Sequence, residues 1–289
     1  MQVVRDGHAL RGRIDVCRRT GATVGFVPTM GALHEGHLSL VRAAREASKC
    51  AVVSIFVNPL QFGPGEDLER YPRDEEGDLA LLEKEGVDFA FLPRAEELYP
   101  PGFETKVVPG SVARDLEGAF RPGHFSGVCT VVLKLFNLVA PHRAWFGAKD
   151  AQQLAVIRRM VRDLSLPIRI EVGPTVREAD GLALSSRNRY LAPEERAEAL
   201  SLSRALFAAR KLHGAGERSG RVLLDRARRE LGAGVVLDYL EIRDPHTFRP
   251  VPDPVENGLL LVAARVGSTR LIDNVPLGKE AARAMGEEG

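Results

Sequence analysis

Two histidines that closely follow a short apolar stretch indicate chemistry on a phosphate group. The stretch is FVPTMGALHEGHLSL, residues 26–40, in which His34 and His37 stand on either side of Gly36. A strand that runs through a turn into a helix presents the unpaired N–H groups and partial positive charge of the helix N-terminus to an anion. A neutral imidazole can donate a hydrogen bond to a phosphoryl oxygen, and Gly36 lets a base or ribose approach the backbone closely. The spacing therefore predicts a nucleotide phosphate site.

Two other interpretations of the histidine pair remain open from the residues alone. A metal site is one, although His34 and His37 are one residue closer together than the two histidines of the HExxH zinc motif. A structural role is the other, with His34 hydrogen-bonded inside the fold. We prefer the phosphate site to both.

The elements around this segment predict an α/β fold with a doubly wound, Rossmann-like parallel sheet. Residues 51–57, AVVSIFV, are continuously apolar, which is typical of a strand covered on both faces. The alternation of such strands with helices predicts right-handed crossovers and a parallel sheet. The predicted strands are 23–28, 51–57, 87–92, 143–147 and 168–172, and the predicted helices are 37–48, 77–85, 128–140 and 150–164.

A change of pattern after Pro174 predicts a smaller α+β domain. Two helices, 193–211 and 219–231, precede three short strands, and Gly267-Ser268 can form the hairpin between the last two. The predicted strands are 237–242, 259–266 and 269–273. We predict two domains, residues 1–175 for nucleotide and substrate binding and residues 176–289 as a lid.

Composition limits the classes of partner. The 289 residues carry 40 Lys and Arg against 39 Asp and Glu, a net charge of +1, which argues against a dedicated nucleic-acid-binding protein. Cys17, Cys50 and Cys129 form no paired motif and are expected to stay reduced. The N-terminus lacks the apolar core of a signal peptide, and no apolar stretch is long enough to span a bilayer. We expect a cytoplasmic protein without membrane or nucleic-acid partners.

Five blocks of the sequence resemble the pantothenate synthetase (pantoate–β-alanine ligase) family, in that family's order. The first block contains an HxGH signature, which resembles that of class I nucleotidylyltransferases. This signature alone identifies only the superfamily. The blocks are VPTMGALHEGHLSL at 27–40, SIFVNPLQFGPGEDLERYPR at 54–73, FRPGHFSGVCTVVLKL at 120–135, FGAKDAQQL at 146–154 and TVREADGLALSSRNRYL at 175–191.

The resemblance implies a two-step ligase that uses ATP. The carboxylate of pantoate would attack the α-phosphorus of ATP to give pantoyl adenylate and pyrophosphate, and β-alanine would then displace AMP. Positioning and electrostatics would dominate such a reaction, and no protein nucleophile is needed. The residues implied to act in catalysis are His34, His37, Lys149, Ser185, Ser186 and Arg187. The residues implied to bind ATP are Pro28, Thr29, Met30, His34, Gly36, His37, Gly147, Lys149, Asp150, Val176, Ser185, Ser186 and Arg187.

The same resemblance implies a set of residues that bind pantoate and β-alanine. Asn58 and Gln61 carry neutral amides, which can orient a carboxylate without lowering its nucleophilicity. Asn58 can equally be a turn residue, and Asp150 can equally be a helix N-cap. The implied substrate residues are Met30, Asn58, Gln61, Tyr71, Arg121, His124 and Gln153.

ATP chemistry implies Mg²⁺, and the resemblance implies a homodimer. The family's acidic metal ligand falls at Gly77 here, so we predict the neighbouring Asp78 as the ligand. Residues 103–108, FETKVV, read as an exposed edge strand that can pair with its twin.

Two other functions remain open. A different class I nucleotidylyltransferase would need a basic cluster for a phosphorylated acceptor, where this chain offers neutral amides. A catalytically silent nucleotide-binding module would not need the histidines together with Lys149 and Arg187.

Overall fold

The structure, a computed structural model, describes residues 1–287 and divides the chain into two compact units. The first unit comprises Met1–Phe146 and Val156–Gly173, and the second comprises Gly147–Ala155 and the chain from Pro174 onward. The predicted division into residues 1–175 and 176–289 as independent domains stays a prediction. Within residues 1–287, no helix combines the length and the apolar character that crossing a membrane requires.

The first unit is built on a six-stranded sheet with the order β1-β4-β3-β2-β5-β6. The pairings of β1 with β4, β4 with β3, β3 with β2 and β2 with β5 are parallel. This arrangement confirms the predicted fold class. The strands are β1 (Gln2–Val4), β2 (Val24–Thr29), β3 (Cys50–Ile55), β4 (Phe89–Phe91), β5 (Arg143–Gly147) and β6 (Arg169–Gly173).

The direction of the sheet order reverses at β2, because β3 and β4 follow it on one side and β5 and β6 on the other. Open α/β sheets bind ligands outside the carboxyl ends of their strands at such a reversal. The strand extends one residue past the predicted end, since Thr29 pairs with Ile55 of β3. On the opposite side, β5 pairs only with Gly25 and Phe26, so the missing N–H of Pro28 lies beyond that ladder.

Helices flank this sheet and mostly match the predicted ones. The α2 helix begins at Glu35, because His34 caps it, and α6 begins at His124 after the left-handed Gly123. The helices are α1 (Gly7–Arg19), α2 (Glu35–Ala47), α3 (Glu75–Lys84), α4 (Ala95–Leu98), α5 (Glu117–Phe120), α6 (His124–Val139) and α7 (Ala151–Asp163).

The second unit packs helices on a three-stranded antiparallel sheet with the order β7-β8-β9. The hairpin at Gly267-Ser268 is confirmed, because Val266 pairs with Thr269. The elements are α8 (Pro193–Gly214), α9 (Gly220–Arg228), β7 (Val235–Arg243), β8 (Gly258–Val266), β9 (Thr269–Leu277) and α10 (Lys279–Ala284).

Two predictions about local structure differ from what the structure shows. Residues 103–108 form no strand, and the N–H of Val107 instead donates to the Thr130 hydroxyl at 2.9 Å. The helical segment begins earlier than predicted, because the 3-10 turn Ala148–Asp150 begins after Gly147 and runs directly into α7, and the N-cap role of Asp150 stays a prediction. A 3-10 turn needs only one hydrogen bond to add a turn at a helix start, which apolar periodicity does not reveal.

Candidate active site

The turn after β2 is shaped by Thr29 and Gly31. The Thr29 hydroxyl donates to the carbonyl oxygen of Ser54 at 2.7 Å and accepts the N–H of Gly31 at 3.2 Å. Gly31 has a φ of +80°, and a Cβ there would lie 2.8 Å from Oδ2 of Asp78. A side chain at this position would therefore be excluded both by conformation and by space. The turn leaves the half-buried Met30 at the strand tip.

Asp78 on α3 anchors the next part of the turn. Its carboxylate is 3% exposed, and its two oxygens accept the N–H groups of Ala32 at 2.8 Å and Leu33 at 2.7 Å. This carboxylate anchors the turn that precedes the histidines, and our prediction that Asp78 is a metal ligand stays a prediction. In the described chain, residues 1–287, no group of three or more His, Cys, Asp or Glu side chains is placed to hold a metal ion.

His34 and His37 form a reciprocal cap at the start of α2. Nδ1 of His34 accepts the N–H of Gly36 at 3.2 Å, and Nδ1 of His37 accepts the N–H of His34 at 3.4 Å. The two rings lie 4.1 Å apart between centroids with a tilt of 35°. An acceptor nitrogen carries no proton, so each neutral ring carries its proton on Nε2 and is a hydrogen-bond donor there.

The cap also changes which groups of this helix can donate hydrogen bonds to an anion. We predicted unpaired backbone N–H groups, but Gly36 donates to the His34 ring and His37 donates to the His34 carbonyl at 2.8 Å. The imidazole Nε2–H groups and the helix dipole therefore provide the attraction for an anion. Thr29 and Met30 lie at the end of β2, and Gly36 and both histidines lie at the start of α2, so the predicted ATP contacts of these residues stay a prediction.

A chain of amides lies next to Met30. Asn58 donates from Nδ2 to Oε1 of Gln61 at 2.9 Å and to the carbonyl oxygen of Gly127 at 3.1 Å. Its Oδ1 accepts the Tyr99 hydroxyl at 2.8 Å. Because Gly127 and Tyr99 fix which end of Asn58 donates, Gln61 must direct its oxygen toward Asn58 and its Nε2 toward Met30, whose sulfur it contacts at 3.1 Å.

These hydrogen bonds give different roles to Asn58 and Gln61, which we predicted together as substrate-binding residues. Asn58 is 1% exposed and its amide is committed to protein partners, so it orients Gln61. Gln61 is the residue that presents an N–H donor. The thioether sulfur is a weak acceptor, and a carboxylate or hydroxyl oxygen would replace it with a stronger bond. Tyr99 was missed, because nothing in its local sequence marks a buried hydroxyl bond to a residue 41 positions away.

Arg121 and His124 hold the backbone of the same segment. The His124 ring bonds the carbonyl oxygen of Gln61 through Nδ1 at 2.8 Å, and Arg121 lies 3.1 Å from its Nε2. A guanidinium can only donate, so Nε2 is the acceptor and Nδ1 carries the proton. Burial and the Arg121 charge lower the pKa of His124 to about 4, which keeps the ring neutral.

Glu66 completes this cluster through a bidentate pair with Arg121. Its oxygens accept from Nε at 2.9 Å and from Nη2 at 2.6 Å. Burial would raise the pKa of Glu66, but the hydrogen bonds and charge of Arg121 outweigh it and the pKa lies below its ordinary value. Arg121 and His124, which we predicted to face substrate, are thus bound to protein groups. Tyr71 is 5% exposed and packs against Phe62, and its predicted substrate contact stays a prediction.

The second unit contains the other predicted ATP residues in two segments. In the first, Gly147 precedes the 3-10 turn Ala148–Asp150, and Lys149 is half-buried beside the exposed Asp150. Gln153 on α7 is half-buried, whereas its neighbour Gln152 is 4% exposed. Gln153 is thus the more accessible of the two glutamines, although its contact with substrate stays a prediction.

The other segment is a narrow loop between residues 176 and 187. The N–H of Leu184 donates to the carbonyl oxygen of Val176 at 3.0 Å, which brings Val176 beside the serines. Ser185 caps the 3-10 turn Ser186–Tyr190 by accepting the N–H of Arg187 at 3.3 Å. Ser186 is 8% exposed and Arg187 is half-buried. Hydroxyls, N–H groups and a guanidinium in one turn are suited to phosphate oxygens.

A family model described as pantoate-β-alanine ligase matches residues 2–276 of the chain. The pantothenate synthetase 1 of Bradyrhizobium diazoefficiens is 56% identical over 278 residues, which cover 96% of this chain and 98% of that protein. The pantothenate synthetase of Thermotoga petrophila is 53% identical over 280 residues, covering 96% of this chain and 100% of the relative.

Solved structures agree with these sequence relatives. The crystal structure of pantothenate synthetase from Thermus thermophilus has a TM-score of 0.91 and 51% identity, covering 96% of this chain and 100% of that one. A pantoate-β-alanine ligase from Francisella tularensis, complexed with beta-gamma ATP and β-alanine, has a TM-score of 0.78 and 32% identity over 95% of this chain and 97% of its own.

Proposed function

This chain belongs to the pantoate–β-alanine ligase family, and we infer that it condenses pantoate and β-alanine to pantothenate with ATP through a pantoyl-adenylate intermediate. The observation that carries this conclusion is the family match over residues 2–276. A carboxylate oxygen of pantoate bonds to the α-phosphorus while the bond to pyrophosphate breaks. The amine of β-alanine then attacks the acyl carbon, AMP leaves, and the amine loses a proton to give the amide.

His34 and His37 act on the phosphates of ATP. Their Nε2–H groups donate to phosphoryl oxygens, and neutral rings do so without attracting the attacking carboxylate into an ion pair. Donors that are already oriented by the α2 cap stabilise the charge that develops as pyrophosphate departs. The tautomer follows from the backbone bonds at each Nδ1, and this preorganisation is the main contribution of the first unit.

Gln61 orients pantoate. Its Nε2–H leaves the Met30 sulfur for a carboxylate or hydroxyl oxygen of the substrate, while the Asn58 amide continues to donate to Oε1 of Gln61. A neutral donor positions the nucleophile and leaves its charge available for attack. Gln153 contributes a second amide.

Lys149, Ser185, Ser186 and Arg187 of the second unit bind the β- and γ-phosphates and the departing pyrophosphate. Lys149 acts as a point charge, and Arg187 can bind two oxygens at once. The half-buried positions of Lys149 and Arg187 support this assignment. The predicted movement of residues 176–289 as a lid stays a prediction, which small-angle scattering with and without ATP would test.

Mg²⁺ enters with the phosphates of ATP, as it does in most sites that bind nucleoside triphosphates. Asp78 as the protein ligand of this metal stays a prediction, because each of its oxygens accepts one backbone N–H group and a carboxylate oxygen has two lone pairs, whereas Gly77 has no side chain. A homodimer and a cytoplasmic location remain part of the proposal, and sedimentation would measure the former.

An assay with pantoate, β-alanine and Mg-ATP tests the function. Formation of AMP and pantothenate in equal amounts is expected. Release of ADP, or AMP formation that does not depend on pantoate, would contradict the proposal. Pyrophosphate exchange supported by a phosphorylated alcohol would instead favour a different nucleotidylyltransferase, and ATP binding without turnover would favour a silent nucleotide-binding module.

A further inference from the structure

We propose that Asp273 and Asn274, neighbours on β9, are positioning residues that hold both ATP-binding segments of the second unit in one arrangement. The inference rests on the ATP contacts proposed above for residues 147–150 and 176–187. Neither residue is marked by a sequence motif of its own, and both are 4% exposed.

Asn274 holds the first segment by its backbone. Its Nδ2 donates to the carbonyl oxygen of Ala148 at 3.0 Å and to that of Lys149 at 2.9 Å. These carbonyls belong to the 3-10 turn that begins the helical segment. Since a single amide nitrogen binds two consecutive carbonyls, it fixes the direction of the peptide from which the Lys149 side chain extends.

Asp273 holds the other segment through Arg177. Its oxygens accept from Nη1 at 2.7 Å and from Nη2 at 2.9 Å, and the same Nη2 reaches the carbonyl oxygen of Asn274 at 3.3 Å. Arg177 also donates to the carbonyl oxygen of Gly181 at 3.2 Å and stacks on Phe207 at 4.7 Å. Arg177 follows Val176 directly, so β9 fixes the start of the loop that contains Ser185 and Ser186.

A role in positioning explains the ion pair between Asp273 and Arg177 better than a role in stability does. Removing a carboxylate and a guanidinium from water costs about as much as their attraction returns, and apolar replacements are often as stable. Both oxygens of Asp273 nevertheless have hydrogen-bond donors, because Oδ1 also accepts the N–H of Asn274 at 2.7 Å. β9 is an edge strand of its sheet. The side chains of Asp273 and Asn274 can therefore hold the two segments at a fixed spacing.

The first experiment compares Asn274→Ala and Asn274→Asp with the wild-type enzyme. Asn274→Ala should raise the KM for ATP roughly tenfold, since two hydrogen bonds that orient the Lys149 peptide are lost. The KM values for pantoate and β-alanine should stay within about twofold of wild type. Asn274→Asp should be worse, because a carboxylate would face two carbonyl oxygens. Equal increases in all three KM values would overturn the proposal.

The matched control is Asn257→Ala in the same unit. Asn257 likewise bonds backbone, accepting the N–H of Glu280 at 3.0 Å, but it contacts neither ATP segment through that bond. It should change the thermal midpoint without changing the KM for ATP. An equal rise in that KM would show that any loss of an asparagine bond in this unit has the same effect, and would contradict a specific role.

A double-variant cycle separates positioning from a general structural effect. In a Lys149→Ala background, Asn274→Ala should raise the KM for ATP by less than about twofold, because the side chain it orients is gone. Full additivity would overturn the proposal. If the wild-type chain makes no pantothenate, the proposed function fails, and calorimetric titration with ATP still measures the same ratios. Should Asn274→Asp not fold, Asn274→Ala gives the same comparison.

Discussion

The pairing of His34 with His37 shows how a helix cap can set the chemistry of a side chain. Each ring accepts a backbone N–H at Nδ1, which places its proton on Nε2. Unlike serine or aspartate, the usual capping residues, histidine accepts a backbone N–H with one atom and donates with another. The cap thus commits Nδ1 of each ring to the fold and places on Nε2 the proton that the proposed phosphate contact needs.

His37→Ala should lower the rate of adenylate formation by about 10²–10³ while the fold is retained, as expected for the loss of an oriented donor to developing charge. ATP–pyrophosphate exchange with pantoate measures this rate. His142→Ala is the matched control, because Nδ1 of His142 accepts the N–H of Val24 at 2.9 Å at the opposite end of β2. Both variants should lose about 1 kcal/mol of stability, and similar losses of activity would contradict the proposed role of His37.

Tyr99→Phe should raise the KM for pantoate about tenfold through Asn58 and Gln61, with little change in the KM for ATP. The ring keeps its packing on Phe56 and Phe103, at 6.1 Å and 5.0 Å, so the variant removes the hydroxyl alone. Initial rates at varied pantoate test this, and urea unfolding gives the cost in stability. An unchanged KM for pantoate would show that Gln61 needs no help from the hydroxyl.

Residue types could be predicted from sequence better than residue roles. The HxGH spacing correctly identified the histidine pair at the carboxyl end of β2. Asn58 and Gln61 were predicted as equals, and only their bonds separate the one that orients from the one that donates. Arg121 and His124 carry the chemistry of ligand binders, but their partners come from distant parts of the chain.

At the scale of elements, the turn between β2 and α2 depends on α3. Asp78 reaches from α3 to the N–H groups of Ala32 and Leu33, so the position of the histidines depends on a helix more than 40 residues later in the sequence. The helix α6 supports the neighbouring 3-10 turn Pro59–Gln61 in a similar way, and Gly127 is essential there, because a Cβ would overlap the carbonyl of Leu60.

Asp78→Asn should destabilise the first unit by about 2–3 kcal/mol, because an amide nitrogen would face one of the two N–H groups. Thermal unfolding in EDTA and in Mg²⁺ tests this against the metal-ligand hypothesis. A turn anchor predicts the same loss in both buffers. A loss seen only with Mg²⁺ would support the prediction that Asp78 is a metal ligand.

Buried strands were predictable because their apolar runs carry the signal directly, as in Val24–Val27, where each residue is buried. The ends of elements were less so. The edge strand β1 has three residues and α5 has four, too short for a periodic pattern. Residues 103–108 have the composition of a strand, but the N–H of Val107 donates to Thr130 of α6 and the N–H of Phe103 donates to the carbonyl oxygen of Pro100.

At the scale of the whole molecule, a near-neutral chain places its charges in local networks. Asp180 and Glu178 bind Arg196 at 2.5 Å and 2.7 Å on the second unit, and the hydrogen bond from Arg196 lowers the pKa of Asp180. Such exposed pairs contribute little to stability. The buried cluster of Glu66, Arg121 and His124 differs, because its groups are largely removed from water.

This cluster links stability to pH in one direction. The folded protein holds His124 neutral down to a pKa of about 4, whereas the unfolded chain takes up a proton near the ordinary value of 6.5. The unfolded state therefore binds more protons between these values, and stability falls as pH falls through this window. The lowered pKa of Glu66 acts in the same direction at more acidic pH, as its carboxylate is protonated. Arg121 and Glu117 are the other charges that act on the ring.

His124→Gln should therefore reduce the acid sensitivity of the first unit. Between pH 7 and pH 5, wild type should lose about 2 kcal/mol more stability than the variant does, even though the variant starts less stable at pH 7. The chain has one tryptophan, Trp145, which is 4% exposed within the first unit, so its fluorescence follows unfolding there. His8→Gln, on the exposed face of α1, should keep the wild-type dependence. Parallel pH profiles for wild type and His124→Gln would show that the buried imidazole does not cause the loss in acid, since a glutamine at the same position cannot titrate.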